Sequence, residues 1–220
     1  MQYTGGDINR LGQKLREENS EISNDDLNLL QAHRLSFTTP LFKTFKDLTT
    51  IKSKVQRTAI IAFRLKRIST IINKVTRRPE MNLNRMWDIA GIRIIFDDER
   101  QLRRVLSEIE NQYEIRGTIR DYFRKPKEIG YRAVHIYITE PISKKVIEVQ
   151  LRTKESHNWA TLVEITDVLY NTRLKEIGYQ NNPDWGRFHS LVSTEKELSK
   201  EEANFLYKIL DKNDFITRLA

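Results

Sequence analysis

Polar and hydrophobic positions alternate most clearly in two runs in the second half of the chain, residues 133–139 and 146–153. Because side chains alternate along a strand, the second run has one hydrophobic face, formed by Ile147, Val149 and Leu151. Its opposite face carries Glu148, Gln150 and Arg152. A turn-like Pro-Ile-Ser segment at residues 141–143 joins the two runs. The pattern predicts a β-hairpin with one face in the core and one face available for chemistry.

The same patterning predicts three further strands and several helices. The strands precede the hairpin and cover residues 58–66, 92–96 and 113–122. Helical periodicity covers residues 7–19, 25–49, 99–112, 154–170 and roughly 190–210, and residues 178–187 read as the clearest loop. These elements predict an α/β (α+β) fold with a mixed sheet of about five strands flanked by helices.

Residues with strong positional preferences suggest where helices begin or break. Asn24 or Asp25 is a plausible N-cap for the second helix, and Pro40 is expected to break or kink it. Ser69 or Thr70 is a suitable N-cap for the helix that follows the first strand.

Composition and charge fit a globular protein that binds anions. Hydrophobic residues make up 39% of the sequence and charged residues 31%, so wholesale disorder is not expected. The net charge of +8 favours nucleotides, RNA or an anionic membrane surface as partners. The absence of cysteine excludes disulfides and thiolate zinc sites, and no apolar run approaches the ~20 residues of a membrane span. Without a signal-peptide pattern at the N-terminus, we expect a cytoplasmic protein with no membrane partner.

Basic residues cluster where the first predicted strand meets the next helix. Arg64 and Lys66 are two residues apart and therefore point to the same side of a strand, and Lys74 lies one turn into the helix. Side chains, free amide hydrogens and the helix dipole together would form an anion site there. Basic residues after a strand are also common as surface decoration, so this segment alone leaves both interpretations open.

Two carboxylates are candidates for a metal site. Asp88 stands before the predicted strand 92–96, and Glu148 lies on the polar face of the hairpin. Carboxylates on neighbouring strands can share a divalent cation. Taken alone, an aspartate in a turn before a strand is more often a cap.

A basic loop precedes the hairpin and closes on Gly130-Tyr131. Its cationic residues are Arg120, Arg124, Lys125 and Lys127. Cations beside an aromatic ring and a carboxylate-bearing strand suit a polyanionic substrate that contains a base. For the loop alone, a solvated charged face is the simpler interpretation.

The order of these segments resembles the synthetase domain of the RelA/SpoT family. The matching motifs are R-L-K-R-I-S-T-I-I-N-K at 64–74, D-I-A-G-I-R at 88–93, R-D-Y-x-x-x-P-K-x-x-G-Y-R-x-x-H at 120–135 and E-x-Q-x-R-T at 148–153. The resemblance implies a nucleotidyltransferase-like fold and a small alarmone synthetase, or a member of its toxic branch. Such an enzyme moves a pyrophosphate group from ATP to the 3′-hydroxyl of an acceptor nucleotide. We place this domain at residues 51–175, between an N-terminal helical extension (1–50) and a loop with a C-terminal helix (176–220).

The resemblance also implies a role for each candidate residue. Asp88 and Glu148 would be the catalytic pair that holds Mg²⁺ on the ATP phosphates, and Glu148 would help to deprotonate the acceptor hydroxyl. The Tyr131 ring would stack on the acceptor base. The implied ATP contacts are Arg64, Lys66, Thr70, Lys74 and Arg93. The implied acceptor contacts are Arg120, Lys127, Ile129, Tyr131, His135, Gln150, Arg152 and Ala160.

The sequence leaves the acceptor open. Alarmone-making members usually carry Asn in P-K-x-N-G-Y, where its amide can hydrogen-bond the guanine edge, whereas this chain has Ile129. GDP or GTP is the commonest acceptor in the family, so (p)ppGpp and AMP are the expected products. The alternative acceptor is the tRNA 3′-CCA end, which the positive charge and a toxin-like N-terminal segment favour and which would imply an antitoxin partner. A non-catalytic nucleotide- or RNA-binding module is a further alternative, and the oligomeric state is left open.

Overall fold

The computed structural model describes residues 3–17, 21–127, 129–192 and 197–219. A short 3-10 helix covers Leu83–Arg85. The α-helices of the described residues are α1 (Gly5–Lys14), α2 (Asn24–Leu35), α3 (Thr38–Val55), α4 (Ile68–Arg77), α5 (Glu99–Gln112), α6 (Lys154–Leu169), α7 (Leu174–Ile177), α8 (Pro183–Val192), α9 (Lys200–Lys212) and α10 (Phe215–Leu219).

The strands form one mixed sheet flanked by helices, which confirms the predicted fold class. They are β1 (Ile60–Leu65), β2 (Ala90–Phe96), β3 (Glu114–Ile115), β4 (Arg120–Asp121), β5 (Val134–Thr139) and β6 (Val146–Thr153). Their spatial order is β1-β2-β6-β5-β3, and β4 pairs with β5. The sheet thus has six strands rather than about five. In the antiparallel β1–β2 pair, Arg64 lies opposite Gly91 and Ala62 lies opposite Arg93, so these four residues share one face.

The predicted hairpin is confirmed with its two faces. Ile147, Val149 and Leu151 are fully buried, whereas Glu148 and Gln150 on the other face are half-buried. The turn between the strands is held by Glu140, whose carboxylate accepts hydrogen bonds from the backbone and hydroxyl of Ser143.

The single strand predicted at 113–122 is wrong. Its residues form the two short strands β3 and β4, and Gly117 between them has a φ of +70°. This left-handed conformation interrupts the extended backbone and is readily adopted only by glycine.

Several helix boundaries also differ from the predictions. Ser23, rather than Asn24 or Asp25, caps α2, because its hydroxyl accepts the Asp26 backbone N–H in a capping box. The break between α2 and α3 comes before Pro40, which lies in the first turn of α3, where a proline lacks no necessary hydrogen bond. The first helix ends at Lys14, and residues 18 and 19 of its predicted span lie outside the described part of the chain.

The helix after β1 starts earlier than predicted. Arg67 occupies the N-cap position of α4 without a side-chain cap, so Ser69 and Thr70 lie inside its first turn. In the C-terminal part, the loop predicted at 178–187 is interrupted by α8, since Pro183 is well suited to a first helical position. The tail predicted as one helix over 190–210 consists of the end of α8 and of α9, and residues 193–196 lie outside the described part.

The chain folds as two compact units. The first comprises residues 1–120 and 135–151, and the second comprises residues 121–134 and 152–220. The predicted division at residues 50 and 175 stays a prediction. None of the helices in the described part of the chain has the length and hydrophobicity of a membrane-spanning segment.

Candidate active site

Asp88 lies in a turn of the first unit, between the 3-10 helix and β2. The next residue, Ile89, is fully buried, and its carbonyl accepts the Lys66 backbone N–H at 2.8 Å. This bond ties the turn to the end of β1. This hydrogen bond therefore holds Asp88 at the end of β1, with only 14% of its side chain exposed.

Two of the predicted ATP-binding lysines converge on Asp88. The Lys66 ammonium group lies 2.7 Å from Asp88 Oδ2, and the Lys74 ammonium group, supplied by α4, binds the same oxygen. Burial opposes ionisation of Asp88, but the two cations outweigh it and hold the pKa of the carboxyl below its ordinary value. Asp88 is therefore an anion at neutral pH, with two ammonium groups poised beside it.

Glu148 projects from the polar face of β6 and is the centre of a second cluster. Its Oε1 lies 3.2 Å from His135 Nδ1 and accepts the Tyr137 hydroxyl at 3.4 Å, while Oε2 accepts the Gln150 amide at 3.0 Å. Burial raises the pKa of Glu148, but the hydrogen bond and charge of His135 bring it below the ordinary value. The nearby charge of Asp88 acts in the opposite direction, so the two carboxylates interact electrostatically.

A pocket that opens to solvent adjoins Glu148 on the side of β1 and β2. Its charged lining comprises Arg64, Arg93 and Glu148. The Arg93 guanidinium group donates a hydrogen bond to the side-chain oxygen Oε1 of Gln150 at 3.3 Å, and Gly91 supplies no side chain to fill the space. The pocket therefore offers two guanidinium groups beside an anionic carboxylate.

Two aromatic residues near the carboxylates were missed by the sequence analysis. Tyr137 bonds Glu148, and its ring lies 5.8 Å from the Arg120 guanidinium carbon and 5.5 Å from the Trp87 ring. Spacing alone could have found Tyr137, which is two residues after His135 and so shares its strand face. Trp87 immediately precedes Asp88, but nothing in the pattern marked it.

The remaining predicted ATP contact, Thr70, is exposed in the first turn of α4. Its predicted contact with ATP is untested.

Most of the other predicted acceptor residues belong to the second unit and lie in its core. The exposed fractions of Ile129, Tyr131, Arg152 and Ala160 are 9%, 4%, 1% and 2%. Arg152 donates a hydrogen bond to the Tyr131 hydroxyl at 2.9 Å, and the Lys127 ammonium group lies 5.5 Å from the Tyr131 ring centre. These contacts give Arg152 and Tyr131 a packing role in this structure. Their predicted contacts with an acceptor remain untested.

The carboxylates fit the way in which Mg²⁺ is usually held. Among the described residues no group of three or more acidic, histidine or cysteine side chains forms a metal cage. Mg²⁺ is commonly bound through one or two carboxylates together with substrate phosphates and water, and does not require such a cage. Asp88 and Glu148 would supply two hard oxygen ligands, and both lysines bind the Oδ2 atom of Asp88. The donor set therefore fits a magnesium ion that arrives with a phosphorylated ligand.

Comparison with known proteins identifies relatives of the central region. A family model described as a region found in RelA / SpoT proteins matches residues 63–175. A guanosine-3′,5′-bis(diphosphate) 3′-pyrophosphohydrolase from Borreliella burgdorferi is 30% identical over 117 residues, and the GTP pyrophosphokinase YjbM from Bacillus subtilis is 28% identical over 123 residues. Each match covers 51% of this chain, but only 17% of the first relative and 58% of the second. The chain thus spans less than two thirds of either relative.

Solved structures share the fold. A GTP pyrophosphokinase family protein from Streptococcus pneumoniae has a TM-score of 0.61 at 18% identity, covering 84% of this chain and 94% of its own. The small alarmone synthetase 1 from Bacillus subtilis, bound to its product pppGpp, has a TM-score of 0.60 at 19% identity, covering 76% of this chain and 94% of its own.

The family model spans just over half of the 220 residues and includes Arg64, Asp88 and Glu148. The residues that match the family model therefore include both carboxylate clusters. The chain belongs to the RelA/SpoT family.

Proposed function

We propose that this chain is a Mg²⁺-dependent pyrophosphokinase that transfers the β,γ-pyrophosphate of ATP to the 3′-hydroxyl of GDP or GTP. The observation that supports this most is the pair of interacting carboxylates, each held by basic or polar neighbours, in a chain of the RelA/SpoT family. Pyrophosphokinases among its relatives and fold neighbours support the same reaction class.

The donor side of the reaction is assigned to the first unit. Lys66 and Lys74 would turn from Asp88 towards the ATP phosphates, since ammonium groups bind phosphate oxygens as readily as carboxylates. Arg64 and Arg93 would hold the adenosine part in the pocket beside Glu148, where a guanidinium plane can stack on a base. Mg²⁺, held by Asp88 and Glu148, would supply the charge that offsets the negative charge of the transferred group.

Glu148 is assigned to the acceptor hydroxyl. With its pKa lowered, the carboxylate is ionised at neutral pH and can accept the proton of the acceptor 3′-hydroxyl. The bond between O3′ and the β-phosphorus forms as the bond between that phosphorus and the α,β-bridging oxygen breaks, so AMP leaves. His135 and Tyr137 keep Glu148 in place through their hydrogen bonds to Oε1.

The tRNA 3′ end is the second candidate acceptor. Ile129 occupies the position where a polar side chain would read guanine, and it is 9% exposed with Gly178 beside it. An aliphatic side chain there cannot exchange hydrogen bonds with a guanine edge. The net charge of +8 would suit a longer polyanion.

The test is transfer from ATP labelled on its γ-phosphate to GDP, GTP, ATP or bulk tRNA in separate reactions. We expect AMP and labelled guanosine nucleotide in equal amounts, and loss of both when EDTA removes the divalent metal. Label on tRNA alone would favour the second candidate. Nucleotide binding without AMP formation with any acceptor would overturn the enzyme assignment and leave a non-catalytic binding module.

A further inference from the structure

Arg34 links the N-terminal helices to the predicted donor site. It lies in the last turn of α2, and its Nε donates a hydrogen bond to the backbone carbonyl of Lys66 at 2.7 Å. Side-chain donors often bind backbone carbonyls without any functional role. This carbonyl, however, belongs to the residue whose ammonium group pairs with Asp88. A residue outside the four sequence motifs is therefore bonded to one of the two lysines that converge on this carboxylate.

The backbone of Lys66 is hydrogen-bonded through both its N–H and its carbonyl. The N–H donates to the carbonyl of Ile89 at 2.8 Å, next to Asp88, and the carbonyl accepts from Arg34. The Lys66 side chain is only 13% exposed, and its ammonium group lies 2.7 Å from Asp88 Oδ2. With both backbone groups bonded, the base of this side chain has little freedom to move. Loss of the Arg34 bond would remove one of the two restraints.

A second arginine near the N-terminus binds beside the other lysine. Arg16 follows α1, and its guanidinium group donates to the carbonyl of Val75, at 3.4 Å from Nε, and to the carbonyl of Met81. Val75 is the neighbour of Lys74 on α4 and is fully buried. The N-terminal region therefore contacts both of the segments that supply a lysine to Asp88.

The first two helices are themselves joined and anchored. The Lys14 ammonium group on α1 lies 2.6 Å from Asp26 Oδ2 on α2, and the same oxygen accepts the backbone N–H of Ser23 in the capping box. His33, next to Arg34, is 1% exposed. All of these residues belong to the first unit. The contacts hold α2 in place, and with it the guanidinium group of Arg34.

We infer that Arg34 is a positioning residue for the pyrophosphate donor, because it holds the backbone of Lys66 where the ammonium group can pass from Asp88 to an ATP phosphate. This inference rests on the proposed pyrophosphokinase function and gives the N-terminal extension a part in the donor site. Arg34 acts through the bonded carbonyl and not by contact with the nucleotide. Misplacement of a substrate-binding group by about 1 Å can cost about 100-fold in rate.

Arg34→Met and Arg34→Gln form a matched pair of variants. Methionine keeps an unbranched side chain but has no donor, whereas glutamine places an N–H donor as far along the side chain as Nε of arginine. We expect Arg34→Met to lower kcat/KM for ATP by about 10- to 100-fold, with the KM for the acceptor nearly unchanged. Arg34→Gln should recover most of that loss. The control is Arg10→Met, at an arginine on α1 whose side chain is 74% exposed, and it should keep wild-type kinetics.

A double-mutant cycle with Lys66→Met separates positioning from general packing. If Arg34 acts through Lys66, Arg34→Met should cost little further activity once the Lys66 ammonium group has been removed. Equal fold losses in the wild-type and Lys66→Met backgrounds would overturn the assignment. A fall in kcat that only matches the loss of folded protein, measured by circular dichroism, with the KM for ATP unchanged, would overturn it as well.

Nucleotide binding tests Arg34 independently of turnover. In calorimetric titrations with a non-hydrolysable ATP analogue and Mg²⁺, Arg34→Met should bind more weakly, and Arg34→Gln and Arg10→Met nearly as well as wild type. Absence of pyrophosphate transfer by the wild type, with binding that still depends on Arg34, would overturn the proposed function and leave the role of Arg34 at the donor site. Normal transfer by the wild type, with the same kcat and ATP affinity in Arg34→Met, would overturn the role of Arg34 alone. Absence of both transfer and ATP binding in the wild type would overturn both proposals.

Discussion

At the scale of single residues, Asp88 is the group on which most of the site depends. One carboxylate binds two ammonium groups, and their positive charge keeps it ionised. Asp88→Asn keeps the side-chain shape but removes the charge that a hard divalent ion requires. We expect turnover of pyrophosphate transfer to fall by at least about 100-fold, with the far-UV circular dichroism spectrum unchanged.

The control for Asp88→Asn is the same substitution at an exposed position. Asp211 lies on α9 in the second unit, and Asp211→Asn should leave turnover unaltered. Near-normal turnover of Asp88→Asn in the presence of Mg²⁺ would show that Asp88 is not a metal ligand.

The same scale shows what strand alternation can and cannot predict. Alternation correctly placed Glu148 and Gln150 on the face opposite the core, and both lie in the candidate site. It put Arg152 on that face as well, yet Arg152 is 1% exposed and bonded to Tyr131. The two-residue period of a strand predicts on which face of the sheet a side chain lies. It does not predict whether another segment buries that side chain, because burial depends on contacts between residues distant in sequence.

At the scale of elements, a chain of hydrogen bonds joins α6, α8 and the segment before α8. Thr166 donates its hydroxyl to the Leu162 carbonyl at 2.9 Å, so its oxygen accepts from Nε2 of His189 at 3.0 Å. His189 Nδ1 then accepts the Tyr179 hydroxyl at 2.9 Å. The buried ring is therefore neutral with its proton on Nε2, and a second proton would break the bond to Tyr179.

This chain of bonds predicts an acid-sensitive second unit. Burial lowers the pKa of His189 to about 4 from 6.5, although the nearby Asp167 opposes the shift. Because the folded-state pKa is the lower one, this stability is fully present above about pH 6.5 and is lost as the pH falls towards 4. The loss amounts to about 3 kcal/mol of unfolding free energy. Urea unfolding at pH 7 and pH 5 should show a smaller loss of unfolding free energy at pH 5 in His189→Gln than in wild type.

His33 provides the matched comparison for His189. It is also buried, in the first unit, and burial lowers its pKa to about 4. His33→Gln should therefore reduce the pH dependence of the unfolding free energy in the same way. An undiminished pH dependence in His189→Gln would contradict the assigned bond chain.

Gly117 shows how one backbone position ended a predicted strand. The pattern over 113–122 allowed a continuous strand, but the left-handed φ of Gly117 divides it and brings the backbone against Trp87. Gly117→Ala should cost about 1–2 kcal/mol in unfolding free energy because of the left-handed conformation. It should also displace the Trp87 ring, which lies 3.1 Å from the added methyl group, and so change the tryptophan fluorescence. A stability equal to that of wild type would mean that the backbone relaxes to an extended form.

Elements were predicted best where one local signal dominates. The span of α5 and that of β6 agree with the patterns to the residue, because an N-cap aspartate and strict alternation mark them. The start of α8 at Pro183 was not predicted, because the sequence N-N-P-D is equally typical of a loop. The helix is favoured by the packing of Trp185 and Phe188 in the hydrophobic core of the second unit. The local sequence limits which secondary-structure elements can form, and burial in the folded protein determines which of them does form.

At the scale of the whole molecule, the net charge of +8 bears on which acceptor is used. A tRNA acceptor would release counterions on binding, so its transfer rate should fall steeply between about 50 and 200 mM salt. A mononucleotide makes few phosphate contacts and should be much less sensitive. We expect label on GDP or GTP with only a weak dependence on salt. The measurement is the initial rate of label transfer to each acceptor across this salt range, and label found on tRNA alone would contradict the expectation.

The same choice can be tested at Ile129. If guanosine nucleotides are the acceptors, Ile129→Asn should raise the preference for GDP over ADP, because the amide can hydrogen-bond the guanine edge. Ile129 is buried, so the substitution also removes apolar packing, and a lower melting temperature is expected alongside the change in preference. Ile142→Asn makes the same change at a position that is 76% exposed in the hairpin turn and should alter neither property. If tRNA is the acceptor, Ile129→Asn should not raise the rate of pyrophosphate transfer to any substrate. The rate of transfer to tRNA should fall only in proportion to the loss of folded protein.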